Sequence, residues 1–250
     1  MGNATNGRSE YRWYEKGFGL RKKLGSVYHL YRFMPGWEGN RAYLEWLKTA
    51  RMERMKDTLA AFDTVLAGLT PGSIALDLGA NIGDYTAKLA ATGAEVHAFE
   101  PEPTLFAQLE RRFADTPNVV LHQAAIAAEA GTVQFWPENN EGADPLALMS
   151  HSIVEGGKHT AGSIPFEVQC VDFFSFIESL EQAPALVKMD IEGAEVAILE
   201  RMLEEKRFDL VGELFVETHE SQFPKLQDRI VAIHKRTKSA GLTNVNLFWP

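Results

Sequence analysis

A single cysteine, Cys170, stands in a chain of 250 residues. One thiol rules out an internal disulfide and fits a reducing compartment; within an apolar stretch it reads as a small buried side chain. The chain also lacks any run of about 18 apolar residues, so no transmembrane helix is expected. Its first residues lack the apolar centre of a signal peptide, and Asn6 stands where a myristoylation site after Met1-Gly2 needs Ser or Thr. These absences together predict a cytoplasmic protein. Two nucleotide-loop signatures are missing as well. The stretch opening at Gly79 is no Gly-x-Gly-x-x-Gly loop, because Asn81 and Asp84 take the second and third glycine positions, and no Gly-Lys-Ser/Thr completes a P-loop. There is no Tyr-x-x-x-Lys pair to support a nicotinamide-dependent reductase.

Positive charge is scarce except at one end. The net charge is −9, yet residues 1–56 carry 12 Lys and Arg against 5 Asp and Glu. The acidic remainder argues against nucleic-acid binding, which needs a basic surface. The basic head suits an anionic substrate, a membrane surface or, more simply, the acidic body of its own chain. With 45% apolar and 24% charged residues, the composition fits one large soluble α/β domain.

Residues 1–10 are polar and read as disordered. From Tyr11 to Trp46 aromatic and basic residues interleave, and apolar spacing from Arg41 to Ala67 predicts a helix. Residues 1–69 are therefore taken as an N-terminal helical cap and 70–250 as the main domain, with Thr70-Pro71-Gly72 as the break. Strands are predicted at Ser73–Leu78, Glu95–Glu100, Asn118–Gln123, Ala185–Asp190 and Leu210–Glu217. Helices separate them, one opened by Pro103 and another, before Ala185, capped by Asp172. Thr132–Trp136 reads as a short extra strand, Phe166–Val171 as an edge strand, 137–165 as a long functional loop, and Leu242–Trp249 as a last strand. The alternation of strand and helix predicts an α/β fold: a doubly wound, mostly parallel sheet with helices on both faces.

Ligands of such sheets bind outside the carboxyl ends of the strands, and acids fall there: Asp77, Glu100, Asp190 and Glu217. Glu100 lies about 20 residues beyond the first strand's end, the offset at which a carboxylate meets a ribose diol. Gly79 and Gly83 permit close backbone approach, and Asn81 tolerates a left-handed conformation. Asp84 at the helix start disfavours pyrophosphate and tolerates a cation. A nucleoside without phosphate but with positive charge is implied, and S-adenosyl-L-methionine fits. A binding module that keeps this fold without chemistry remains the alternative.

Three motifs carry a resemblance. Asp77-Leu-Gly79-Ala-Asn81-Ile-Gly83-Asp-Tyr-Thr86, Phe99-Glu100-Pro101 and Val187-Lys-Met-Asp190-Ile-Glu192-Gly193-Ala-Glu195 resemble the FkbM family of S-adenosylmethionine-dependent methyltransferases, over about Ser73 to His219. The resemblance implies a Rossmann-like methyltransferase sheet with one antiparallel strand near its end. It also implies methyl transfer to a hydroxyl of a small molecule, natural product or saccharide. By position, Gly79, Asn81 and Gly83 would hold the methionine end, Asp77 its amino group, and Glu100 with Pro101 the ribose. His122, Gln123, Ala124 and Ala125 would lie near the adenine. Asp190 would touch the cofactor or orient the acceptor. His219, whose ordinary pKa suits a base near neutrality, joins Asp190 and Glu192 as the catalytic candidates. Glu192 and Glu195 also suit a helix start, and His151 and His159 of the long loop are weaker candidates. No metal is expected, because Asp190, His219 and Glu220 are not spaced as a local metal motif. Base methylation is disfavoured, since Asp190-Ile-Glu-Gly stands where an Asn/Asp-Pro-Pro-aromatic motif would be required.

Overall fold

The computed structural model describes residues 39–137, 152–155, 157 and 163–250. The readings made for residues 1–38, for His151 and His159, and for most of the long loop lie outside the described residues. Two compact units divide the chain, Met1–Glu53 and Arg54–Pro250. Helix α1 (Gly39–Gly68) contributes to both. In the first unit, Tyr43 and Trp46, one helical turn apart, bring their rings to 5.0 Å.

The second unit is built on a six-stranded sheet. Its strands are β1 (Ile74–Leu78), β2 (Glu95–Phe99), β3 (Val119–His122), β7 (Leu186–Met189), β8 (Glu213–Val216) and β9 (Val245–Asn246), in the order β3-β2-β1-β7-β8-β9. Every pairing is parallel. The chain winds outward from β1 through α2 (Asp84–Ala90) and α3 (Pro103–Phe113), then from β7 the other way through α5 (Glu195–Glu205) and α6 (Gln227–Ser239). Between β1 and β7 the winding reverses, and a crevice opens at the carboxyl ends of both. β1 and β7 are buried along their whole length, as a parallel strand covered on both faces must be.

One face is closed by an aromatic cluster. Phe62 of α1 sets its ring 5.3 Å from Phe215, 4.6 Å from Trp249 and 5.6 Å from Tyr85. The second half of α1 is thus a layer of this unit. On the other face, Phe176 of α4 (Phe173–Ser179) packs edge-on against His97, Phe99 and His122. A smaller sheet, β4 (Ala125–Ala127), β6 (Phe166–Asp172) and β5 (Gly131–Phe135), has the order β4-β6-β5.

Helix starts follow the sequence closely. Pro103 is the first residue of α3, and Glu102 before it accepts the Leu105 N–H at 2.6 Å. Asp172 caps α4 by accepting the Ser175 N–H at 2.7 Å. Asp172→Ala should cost about 1 kcal/mol of stability, read as a lowered urea midpoint; an unchanged midpoint would deny the cap any weight.

Three expectations are corrected. β6 is the middle strand of its sheet, not an edge; its neighbour β4 has three residues, too few to show alternation. Apart from β5, which pairs antiparallel with β6 in the smaller sheet, no antiparallel strand is found among the described residues, and none at the end of the six-stranded sheet: β9 pairs with β8 in parallel, because α6 returns the chain to the amino end of the sheet before β9 begins. The last strand is also short. The Asn246 side chain accepts the Phe248 N–H at 2.9 Å and turns the backbone out of the ladder.

Candidate functional site

The loop after β1 is clamped to β2. The N–H groups of Gly79 and Ala80 both bond the Phe99 carbonyl, at 3.1 and 2.9 Å. The backbone then takes three positive φ values, at Gly79 (81°), Asn81 (51°) and Gly83 (87°). Gly79 is required by the protein itself: a Cβ there would lie 1.9 Å from the backbone oxygen of Asp190. A Cβ on Gly83 would meet Phe113 and Leu109 of α3. Both glycines serve packing first.

Glu100 closes the end of β2. One carboxylate oxygen accepts the Asn81 N–H and the other the Glu102 N–H, each at 2.9 Å. Burial pushes its pKa up to about 7, even though those two N–H groups favour the charged form. The carboxylate lines a cleft together with Gly79, Asn81, Pro101, Ala124 and Ala125, and Asp190 and Glu192 line it too. The cleft encloses about 580 Å³, open solvent at its mouth included.

Below the loop lies a buried ion network. Lys188, in the middle of β7, is 3% exposed; it donates to the Gly79 carbonyl at 2.7 Å and sits 3.4 Å from both Asp77 Oδ1 and Asp190 Oδ2. Burial works against its charge, but the two aspartates outweigh this and raise its pKa. Asp77 takes a further hydrogen bond from Thr86 at 2.6 Å. Burial opposes ionisation of Asp190 also, yet Lys188 and His219 hold its pKa down to about 2.

His219 follows β8 and is 2% exposed. Its Nδ1 lies 3.1 Å from Glu195 Oε1, which also accepts the His219 backbone N–H at 3.3 Å. Its Nε2 faces Asp190 Oδ1 at 3.4 Å, Glu192 Oε2 at 3.3 Å and Glu217 Oε1 at 4.0 Å. Burial favours the neutral ring, but the surrounding carboxylates, Glu195 foremost, raise the pKa well above its ordinary value. Glu192 is pushed up to about 8, mainly by burial and then by Asp190, although His219 pulls the other way. Glu192 holds φ 52° ahead of Gly193 at 100°, and the Ser152 hydroxyl donates to its carbonyl.

The structure brings Gly79, Asn81, Glu100, Pro101, Ala124, Ala125, Asp190 and Glu192 to one cleft. Other positions fall elsewhere. Asp77 is fully buried beneath the loop, where it neutralises Lys188 and does not reach the cleft wall. Gly83 packs on α3. Gln123 is exposed and His122 stacks on Phe99 at 4.2 Å, so neither lines the cleft. Asp84 pairs with Arg112 at 2.8 Å and does not line the cleft. Glu220 turns to Thr218 instead of joining Asp190 and His219. The ordinary pKa expected of His219 does not hold among these acids. Sequence reasoning missed Lys188, although a lone lysine in a buried apolar strand implies an acidic partner. Ile153, which lines the cleft from the long loop, was also missed.

Comparison with known proteins gives the same frame. Residues 77–241 match the family described as the methyltransferase FkbM domain, well over half of the chain. A hexuronic acid methyltransferase, AglP, of Haloferax volcanii is 30% identical over 152 residues, which cover 60% of this chain and 57% of that protein. The 2-O-methyltransferase NoeI of Sinorhizobium fredii is 26% identical over 167 residues, 62% of this chain and 68% of that protein. The 31-O-demethyl-FK506 methyltransferase FkbM of Streptomyces tacrolimicus is 40% identical over 81 residues, 28% of this chain and 29% of that protein. The matched region is thus little more than half the length of the first relative. No described helix is long and apolar enough to cross a membrane. With its switch-point cleft and a match running from the end of β1 through α6, the chain belongs to the FkbM methyltransferase family.

Proposed function

We propose that this chain transfers a methyl group from S-adenosyl-L-methionine to a hydroxyl of a small molecule, natural product or saccharide. The observation that carries the reading is Glu100: a buried carboxylate on the cleft wall, each oxygen held by one backbone N–H. A carboxylate oxygen so held retains acceptor capacity, which suits the two hydroxyls of a ribose. The other residues fit the same ligand. Gly79 and Asn81 present backbone beside the methionine end, Pro101 flanks the ribose, and Ala124 and Ala125 leave room for a flat base. Asp190 and Glu192 line the cleft with them and, with His219 behind, act on the acceptor.

When bound, the cofactor supplies an electrophilic methyl on a sulfonium. The protein supplies alignment of the acceptor oxygen and exclusion of water. Ile153 and Phe135 add an apolar wall, which supports assigning part of the 137–165 loop to the acceptor. The named activities of the three relatives, on a hexuronic acid, at a 2-O position and at a 31-O position, favour a hydroxyl acceptor. The acidic body disfavours nucleic acid. We assign the catalytic domain to 70–250 together with the half of α1 that carries Phe62, and the rest of 1–69 to an extension.

Glu100 gives the test. Calorimetry should detect S-adenosylmethionine binding, and Glu100→Ala should weaken it about 100-fold, the worth of two hydrogen bonds to a charged acceptor. The pH dependence has a definite sign. Ribose hydroxyls donate to the ionised carboxylate, and Glu100 in the free protein gives up its proton near pH 7. Affinity should therefore rise about tenfold per unit below pH 7 and level off above it, and Glu100→Gln should flatten the profile. Absence of binding by the intact protein would sink the reading; an unaffected Glu100→Ala would remove Glu100 from it.

A further inference from the structure

We propose that Asp190, Glu192 and His219 bind one divalent cation at the acceptor end of the cleft; only the placing of the acceptor rests on the function proposed above. Each of the three residues offers one ligand atom, and these atoms all lie within 4.8 Å of one another. The imidazole Nε2 lies 3.4 Å from Asp190 Oδ1 and 3.3 Å from Glu192 Oε2. Ligands each about 2.1 Å from a common ion stand at these two separations.

Acids that happen to gather are not a site, and a separate observation marks this one. His219 is 2% exposed, yet among the described residues its Nε2 has no hydrogen-bond partner, nor has Glu192 Oε2 against it. Two buried polar atoms of this kind normally carry a penalty of about 1–3 kcal/mol each. Their facing positions leave a common point for a ligand both can share. The other ring nitrogen is already engaged: Nδ1 meets Glu195 Oε1 at 3.1 Å, and Glu195 is itself fully buried and tied to the Gly193 N–H at 2.7 Å. A carboxylate behind a histidine, fixing which nitrogen faces forward, is the arrangement that orients metal-ligating imidazoles.

The surroundings favour a dication. Asp190, Glu192, Glu195 and Glu217 all lie within 4.0 Å of the ring, and Lys188, the cation bonded to this cluster, is shared with Asp77. Glu192 is held in place by its left-handed backbone and by Ser152 on its carbonyl. Two carboxylates with one imidazole suit a cation of intermediate hardness such as Mn²⁺. Asp190 and Glu192 line the cleft, so remaining coordination positions face the acceptor. A hydroxyl bound there is acidified by the ion, and two adjacent hydroxyls of a saccharide would chelate it.

The test uses the full chain with Mn²⁺ alone, without S-adenosylmethionine. Free Mn²⁺ is counted by its solution EPR signal, and the bound ion is examined by electron spin-echo modulation. One ion per chain at micromolar affinity is expected, with modulation from a single ¹⁴N. Glu192→Gln should weaken binding at least about tenfold, and His219→Ala should also remove the nitrogen modulation. Near-UV circular dichroism identifies a variant that has not folded; Glu192→Gln, at the cleft surface, carries the test should His219→Ala fail that check. No stoichiometric uptake by the wild type, no nitrogen modulation, or unchanged uptake in Glu192→Gln overturns the site. Mn²⁺ uptake of the expected kind without any cofactor binding in EDTA would support the cation site and overturn the proposed function instead.

Discussion

Lys188→Met is expected to cost about 3–5 kcal/mol of folding stability, the loss seen when one partner of a buried ion pair is removed. The lysine is nearly inaccessible and holds three groups at once: the Gly79 carbonyl, Asp77 and Asp190. Methionine fills most of the volume, so the change is electrostatic. Asp190 is partly exposed and can turn to water. Asp77 cannot: it is fully buried, and among the described residues its Oδ1 has no hydrogen bond, leaving Lys188 as the neighbour that neutralises it. The double variant Asp77→Asn/Lys188→Met should recover most of the loss, because no buried charge is then unpaired. Chemical denaturation measures all three proteins. A single-variant loss below about 1 kcal/mol, or no recovery in the double variant, would contradict the pairing.

Gly79→Ala should be nearly as damaging and should also remove cofactor binding. The added methyl would lie 1.9 Å from the Asp190 backbone oxygen, and Gly79 has φ 81°. A left-handed alanine costs about 1–2 kcal/mol, and overpacking against a fixed backbone adds about 1–3 kcal/mol. The only relief is to separate the ends of β1 and β7, which widens the cleft. Gly83→Ala is the informative control. Its methyl meets the side chains of Phe113 and Leu109, which can shift, so its loss should be smaller. Thermal unfolding and calorimetry together read both effects. A Gly79→Ala protein with wild-type stability and binding would show that the close approach is not needed.

Much of the fold was legible because its signals are local. Apolar runs that end at or beside Asp77, Glu100, Asp190 and Glu217 marked four of the six sheet strands, and Pro103 and Asp172 marked helix starts. The cleft was legible in part. Glu100, Gly79 and Asn81 lie where strand ends predict, but Asp77, one residue inside its strand, points beneath the loop instead of toward the ligand. Lys188 hid in the run Leu-Val-Lys-Met, where one lysine suggests an outward face; a central parallel strand has no such face. Glu195 read as a helix-start charge, and nothing local revealed that His219, 24 residues later, would rest on it. The pKa of His219 is raised by three acids gathered by folding, Glu195, Asp190 and Glu192, which no local pattern in the sequence brings together.

The pairing of β1 with β7 has a kinetic consequence. Lys188 and the Gly79 carbonyl it bonds are 109 residues apart in the chain. The halves on either side, β1 to β3 and β7 to β9, each rest on nearer pairings. Closing the seam between them fixes the longest loop of the sheet and is a slow step by topology. The cleft lies on that seam, so no partly folded chain with separate halves possesses it. Appearance of ligand affinity during refolding should therefore lag the regain of helical signal, and the binding site serves as a reporter for completion of the sheet.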